Sequence, residues 1–536
     1  MGGHCGTLLG NTVKRTYETL MQLIDFFDRG VQIAPTRKAF LDADNEFTYQ
    51  NAQQRSHQVA NGLIESGIQP GDPVAIYCPN SALAFICILG ILRAGAVYVN
   101  LNGLSPLREN IFVLQDRDAK FLFIHSNFES QLEEITTNVP KLVGFIGIDK
   151  GIKSSLPLME WMANFPSESP NIKRRENDLA CLFSTSGTTG QSKAAQLTNK
   201  VIETMITNAN HAMPFKTAPV HLVAAPFTHA AGLAALWLFP LGATNVIIPR
   251  ADPLEIMMAI ERHKVNVLFL PPTVIYMMLT HPQVKTFDYN SLRYLIYGAA
   301  PMSVEKLYQA IEVFGPVLTQ LYGQAEAPMM CTLMTPAEHT LWLKEGSLER
   351  LASCGRPCLL TTLAIMDDKG ELLGPEEIGE IVVRGNLVVP GYYKNPSATE
   401  EVRAFNWHHT GDIGKTDTEG YLYIVDRKND MIISGGFNIY PAEIEQALLS
   451  LPQVQDCAVV GIPDEKWGEA VTAVIELIPG QALTESLALE RCRSRLGGVK
   501  TPKNIVIWDQ LPRSPVGKVL RRKIRESFWK GQTRQI

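Results

Sequence analysis

The sequence predicts an α/β protein: a large N-terminal domain of layered α/β sheets with a β-rich subdomain, then a smaller α+β C-terminal domain. Three observations predict it. Short apolar, β-branched runs alternate with longer segments of helical spacing through the first two-thirds of the chain. After about residue 350, short strands crowd between turn signals. From Asp430 the pattern becomes strand, helix, strand, strand, helix, strand, ending in a basic tail.

The elements follow in order. Strands are expected at AKFLFIH (119–125), HLVAAPF (221–227), NVIIP (245–249), VNVLFLPP (265–272) and LRYLIYG (292–298). Their continuous apolar character suits parallel sheets covered on both faces. Asp252 to His263 and Ser303 to Phe314 have helical spacing, with breaks and helix starts at Asp252-Pro253 and Pro271-Pro272. In the β-rich part the turns fall at Asp368-Lys369-Gly370, Gly374-Pro375 and Thr418-Glu419-Gly420. The stretch DRKND (426–430) separates two apolar strands, so the domains are drawn as 1–426 and 430–536 with a junction at 427–429. Composition alone reads that stretch as a charged surface turn.

Hydrophobic residues make up 46% of the 536 and charged residues 19%, which excludes a disordered chain, a collagen-like fibre and a coiled coil. With 49 basic and 54 acidic residues the net charge is −5, a poor basis for general nucleic-acid binding. The densest basic stretch, Arg513 to Arg525, contains Lys518, Arg521, Arg522 and Lys523, and the last three read as a solvated face. Nine cysteines include no C-x-x-C pair, and Cys87 and Cys181 sit in apolar runs, which indicates free thiols in a reducing compartment. The start lacks a charged-then-apolar signal, Ala82–Leu92 is too short to span a bilayer, and the terminal Thr-Arg-Gln-Ile is no retention signal. The expectation is a soluble, cytoplasmic protein.

The stretch CLFSTSGTTGQSKAA (181–195) is the most informative. An apolar strand runs into glycines and hydroxyls that can wrap phosphate oxygens, with Lys193 adding a mobile cation. It is not a Walker loop, which needs Gly directly before its Lys where this chain has Ser192.

STSGTTGQSK resembles the phosphate-binding signature of the adenylate-forming enzymes, which include acyl- and aryl-CoA synthetases, peptide-synthetase adenylation domains and firefly luciferase. Further matches follow in that family's order: PFTHAAG (226–232), YGAAP (297–301), LYGQAEAP (321–328), TGD (410–412), DRKNDMIISGGFNIYPAEIE (426–445), VVGIPDEKWGE (459–469) and LPRSPVGKVLR (511–521). They span nearly the whole chain. The resemblance is strongest to the CoA-ligase branch, through GGFNIYPAEIE.

The resemblance implies roles. Thr185, Ser186, Gly187, Thr188, Thr189, Gly190 and Lys193 would hold the β- and γ-phosphates of ATP, and Glu326 with Thr189 would bind Mg²⁺. Gly298, Ala299, Ala300, Tyr322 and Gly323 would enclose the adenine. Asp412 would accept the ribose hydroxyls, with Arg427 as a second ribose or phosphate contact. His229 would orient the acid's carboxylate. Lys518, on a mobile C-terminal domain hinged at Asn429, would bridge carboxylate and α-phosphate. Ser434, Gly435 and Gly436 would line the CoA channel. The acid pocket would comprise Phe227, Ala230, Ala231, Tyr297, Leu321, Pro328 and Met329. Taken singly, several of these residues read more plainly: Glu326 as a solvated carboxylate, Tyr322 as core, Lys518 as a surface charge.

Three departures from the family pattern stand out. Ala325 replaces a Thr whose hydroxyl would contact the α-phosphate. Ser192 and Ala194 replace Pro and Gly around Lys193. Asn429 stands at a hinge position more often Asp or Lys. The expected function is an AMP-forming acyl-CoA synthetase using ATP, Mg²⁺ and CoA on a compact aromatic, cyclic or medium-chain monocarboxylic acid. The rivals are a stand-alone adenylating enzyme that loads a carrier protein, a luciferase-like oxygenase and a nucleotide-binding pseudoenzyme. Monomer and homodimer both stay open.

Overall fold

The structure is a computed structural model that describes residues 22–153, 155–185, 192–300, 302–428, 430–464, 466–514 and 518–529. Two large sheets form the body. In the first, six strands run in the order Gly144–Gly147, Phe121–Ile124, Pro73–Tyr77, Val97–Asn100, Leu179–Ser184, Ala194–Thr198, all parallel except the last. The second has nine strands, six of them a parallel run in the order Leu318–Gln324, Tyr294–Tyr297, Val267–Leu270, Val220–Val223, Thr244–Ile247, Lys38–Leu41.

The apolar runs become strands because both faces are covered, as parallel sheets require. Phe121–Ile124 and Val267–Leu270 are buried at every position. Between the sheets lies the helix Ala82–Arg93, buried along its whole length, so the chain's most apolar segment is a core helix. Arg93 closes it with an ion pair to Asp28 and a 2.8 Å bond to Ser56 Oγ. Among the described residues no helix is long and apolar enough to cross a membrane.

Helix starts fall where their capping residues stand. Asp252 accepts from the Leu254 and Glu255 amides ahead of Pro253–His263, and Ser303 accepts from Lys306 N ahead of Val304–Phe314. The eight cysteines among the described residues are free and buried.

The β-rich part is an antiparallel five-stranded sheet in which Trp407–Thr416 pairs with Gly379–Arg384 and with Leu422–Arg427. After residue 429, which lies outside the described residues, the chain builds a separate sheet. There Val454–Asp464 pairs with Gly468–Leu477 over ten residue pairs, Asn504–Trp508 adds in parallel, and the helices Pro441–Leu449, Glu485–Lys500 and Arg521–Trp529 pack around it. The expected pattern gains a leading hairpin, Ile432–Ser434 with Phe437–Ile439, and a closing helix.

Candidate active site

Thr185, Gly298 and Ala299 directly follow the C-terminal ends of parallel strands, where open α/β sheets place their ligands. Leu179–Ser184 delivers Thr185, whose amide donates to the Lys193 carbonyl at 2.9 Å, while Ser184 pairs with Ala194. The phosphate-loop ends are therefore pinned together. Ser186, Gly187, Thr188, Thr189 and Gly190 lie outside the described residues. Asn100, at the end of the neighbouring strand, accepts from Ser184 N at 3.4 Å and donates to the Thr228 carbonyl. It ties the phosphate-loop strand to the turn that carries His229, and the sequence reading missed it.

His229 stands directly before the helix Ala230–Leu238, with no side-chain bond to its first turn. Its Nδ1 lies 3.0 Å from Thr228 Oγ1, and Phe183 meets its ring edge-on at 6.1 Å. Burial pushes its pKa down to about 4, so at neutral pH it offers a hydrogen bond and no charge.

Gly298 and Ala299 follow the strand Tyr294–Tyr297. A Cβ on Gly298 would stand 2.6 Å from the Leu321 carbonyl oxygen, so this close approach of backbones requires glycine. Ala299 and Met329 both have positive φ, 65° and 59°, a strained state that concentrates at functional sites. Tyr322, at the end of the next strand, donates its hydroxyl to Asp412 Oδ2 at 2.7 Å. Arg427 Nε holds the other oxygen at 2.6 Å, from the residue paired with Asp412 across the antiparallel strands. Beside them Gln324 donates to the Thr410 carbonyl at 3.2 Å and meets His408 Nε2 at 3.1 Å.

Glu326 has a partner that the sequence did not reveal. The Tyr392 hydroxyl donates to its carboxylate, and Lys193 Nζ stands 5.1 Å from the centre of the same tyrosine ring. One aromatic side chain thus links the phosphate-loop lysine to the expected metal-binding carboxylate. The donor chemistry fits Mg²⁺, which takes one or two carboxylates and completes its shell with phosphate and water.

Within the acid pocket expected from sequence, Phe227, Ala231, Leu321 and Met329 share one buried cluster, with Ala230 packed against it. Tyr297 is a correction. Strand alternation turns it to the opposite face of the sheet, into a second cluster, where its hydroxyl bonds Gln320 at 3.0 Å and His339 at 2.9 Å.

Lys518 comes to this cleft from the C-terminal unit. Its amide donates to Ser514 Oγ at 3.1 Å and its carbonyl accepts from Ser514 N at 2.7 Å, which closes the loop on itself. The side chain stays open to the cleft, yet the surrounding protein desolvates the ammonium and the Arg427 cation repels it. Together these outweigh Asp412 and push its pKa down to about 8.

Arg521 corrects the expectation of a solvated face. It binds both oxygens of Glu445, and its Nη1 reaches Asp426 at 3.1 Å and Asp430 at 3.0 Å. Ser434 and Gly435 sit at the C-terminal hairpin turn, where Gly435 N donates to the Trp467 carbonyl at 2.8 Å. Gly435 has φ 59°, and a Cβ there would strike the Trp467 ring at 2.7 Å.

Comparison with known proteins matches this layout. Residues 27–393 match the AMP-binding enzyme family and residues 443–518 match the AMP-binding enzyme C-terminal domain. The chain is 37% identical over 360 residues to the medium/long-chain-fatty-acid–CoA ligase FadD8 of Mycobacterium tuberculosis, covering 66% of this chain and 62% of that protein. It is 34% identical over 502 residues to feruloyl-CoA synthase of an Amycolatopsis species, covering 93% and 98%. The crystal structure of ATP-bound MatB from Rhodopseudomonas palustris is similar with a TM-score of 0.85 and 28% identity, covering 96% of this chain and all of that one. With both family domains matched in chain order across the elements that build the cleft, the chain belongs to the AMP-binding enzymes, on the branch of acyl- and aryl-CoA ligases.

Proposed function

We propose that the chain is a carboxylate–CoA ligase that joins a compact monocarboxylic acid to CoA in two steps. In the first, a carboxylate oxygen attacks the α-phosphorus of ATP and pyrophosphate leaves. In the second, the CoA sulfur attacks the acyl carbonyl and AMP leaves. The observation that carries this reading is Lys518, brought by the C-terminal unit to within electrostatic reach of Asp412 and Arg427 on the body.

Each residue then has a physical task. Lys193 and the Thr185–Gly190 loop hold the β- and γ-phosphates, and Tyr322, Gly298 and Ala299 enclose the adenine. Asp412 keeps oxygen lone pairs beyond those used by Tyr322 and Arg427, enough to accept ribose hydroxyls. Glu326 would hold Mg²⁺, with Thr189, and the ion would neutralise phosphate charge as pyrophosphate departs. Neutral His229 donates a hydrogen bond to the acid. Lys518 is the group on which the first step most depends, because its ammonium meets the charge that develops between carboxylate and phosphate. For the second step the C-terminal unit turns about residues 427–429 and presents Ser434, Gly435 and Gly436 to the adenylate.

The acid is expected to be aromatic, cyclic or of medium chain. Phe227, Ala230, Ala231, Leu321, Pro328 and Met329 bring no charged group to pair a second carboxylate, and Leu321 narrows the space. The test is incubation with ATP, CoA and a panel of acids, and AMP with acyl-CoA from compact monoacids is the expected result. AMP release without acyl-CoA would sink the ligase reading, and transfer to a phosphopantetheinyl carrier protein would replace it. Saturable turnover of long-chain acids alone would refute the compact pocket.

A further inference from the structure

Asp426 is placed unlike any other carboxylate near the cleft. It is the last residue but one of the strand Leu422–Arg427 of the body, three residues before the junction residue 429, and is 3% exposed. Its Oδ1 accepts from its neighbour Arg427 N at 2.7 Å and from Arg521 Nη1 at 3.1 Å, and its Oδ2 accepts from Ala442 N at 2.8 Å. Two of these three donors belong to the C-terminal unit. Ala442 lies in the first turn of the helix Pro441–Leu449, so the carboxylate also caps a helix N-terminus belonging to the other unit.

The other anions around Arg521 travel with it. Glu445 lies on that same helix and also accepts from Val459 N at 2.8 Å, inside the C-terminal sheet. Asp430 follows the junction. If the C-terminal unit turned about 427–429, Arg521 would keep Glu445 and Asp430 but would leave Asp426 behind. Arg521 stands three residues beyond Lys518, and between them Leu520 N is tied to the Pro512 carbonyl at 2.8 Å. Whatever fixes Arg521 therefore restrains Lys518, three residues before it. Arg427 repels the Lys518 ammonium, and among the described residues the Lys518 backbone bonds only to Ser514, so an anchor at Arg521 helps to hold it in place. Burial pushes the Asp426 carboxyl up to about 6 against the pull of Arg521, so its ionised form is held at a cost and the contact can be released.

We infer that Asp426 is a positioning residue that seats the C-terminal unit in the orientation delivering Lys518, acting through Arg521 and the Ala442 amide and releasing both when that unit turns. The inference rests on the two-step reading proposed above. Its signature is a split between the half-reactions, since a residue needed only for folding would slow both alike.

The test uses the full chain with Asp426→Asn and, as control, Asp430→Asn. Each removes one anion from Arg521, but only the first lies on the body side of the junction. Adenylate formation is followed as pyrophosphate exchange into ATP, and the second step as acyl-CoA formation from a supplied acyl-adenylate. Asp426→Asn should slow adenylate formation about tenfold or more, the worth of one charge-assisted bond. It should leave the second step unchanged or faster, and Asp430→Asn should preserve the wild-type ratio of the two rates. Equal slowing of both steps, no slowing of adenylate formation, or an Asp430→Asn variant that behaves like Asp426→Asn would each overturn the inference. A wild-type chain that exchanges pyrophosphate yet makes no acyl-CoA would instead refute the ligase reading, and the Asp426→Asn effect on exchange would still be measurable.

Discussion

The body and the C-terminal unit each bring one lysine to the cleft, and the two are held in opposite ways. Lys193 sits at the foot of a hairpin, its carbonyl bonded to Thr185 and its ammonium over the Tyr392 ring, whose hydroxyl also engages Glu326. Lys518 has its backbone bonded to Ser514, and its charge is opposed by desolvation and by Arg427. A cation already settled among its partners suits an anion present throughout the reaction, such as the outer phosphates. A cation held at a cost suits charge that appears only in the transition state, because only then is the cost repaid.

The sharpest way to break this comparison is to remove each ammonium in turn. Lys518→Ala should slow adenylate formation by about 10³-fold, the upper range for one oriented charge at a transition state. It should leave acyl-CoA formation from a supplied adenylate largely intact. Lys193→Ala should act mainly on the KM for ATP. If Lys518→Ala slowed both half-reactions equally, the two lysines would not divide the work between binding and chemistry.

Acidity gives a further test of Lys518. Its pKa is pushed down to about 8, so in the free enzyme it is protonated below that pH and neutral above it. The kcat/KM for ATP in adenylate formation reports the free enzyme, and it should fall about tenfold per pH unit above pH 8. Lys518→Arg should remove that descending limb, because a guanidinium stays charged. A limb that persisted in Lys518→Arg would assign it to another group.

Tyr392 supports the Lys193 side. Tyr392→Phe keeps the ring beneath the ammonium and deletes the hydroxyl donated to Glu326. A hydrogen bond to a charged group predicts about a tenfold loss of adenylation, concentrated in the Mg²⁺ dependence. An unchanged Mg²⁺ requirement would mean that Glu326 needs no such support.

How much of this was legible in the sequence follows from how local each feature is. The strands at 121–124 and 267–270 and the caps Asp252 and Ser303 are set by nearby residues, and they appear where the sequence places them. The stretch 184–193 and Thr410–Asp412 are short motifs read by resemblance, and residues 186–190 lie outside the described residues. The partners of those motifs are not local. Tyr392 reaches Glu326 across 66 positions, Asn100 reaches Thr228 across 128, and Arg521 reaches Asp426 across 95. No period or spacing carries such pairs, so Arg521 looks like one more solvated charge until the sheets bring three carboxylates to it. Tyr297 misled for a related reason. It lies beside Gly298 in the motif, but the period of the strand turns its ring to the other face.

The smallest effect tests whether the two lysine regions share a burden. Ala325 stands directly before Glu326, where relatives by resemblance carry a Thr whose hydroxyl meets the α-phosphate. Its side chain is partly buried against the main core, so a Thr hydroxyl there would find few competing partners. Restoring it with Ala325→Thr should supply one hydrogen bond worth about 1 kcal/mol net, which is about a fivefold faster adenylate formation. Lys518 is expected to meet the same phosphate, so the two contacts should couple. With Lys518 present, the hydroxyl shares an anion already neutralised; in Lys518→Ala it faces that charge alone, and the gain from Ala325→Thr should be larger. Equal gains in both backgrounds would mean that residue 325 and Lys518 act on different atoms, and that the body and the C-terminal unit stabilise separate parts of the transition state.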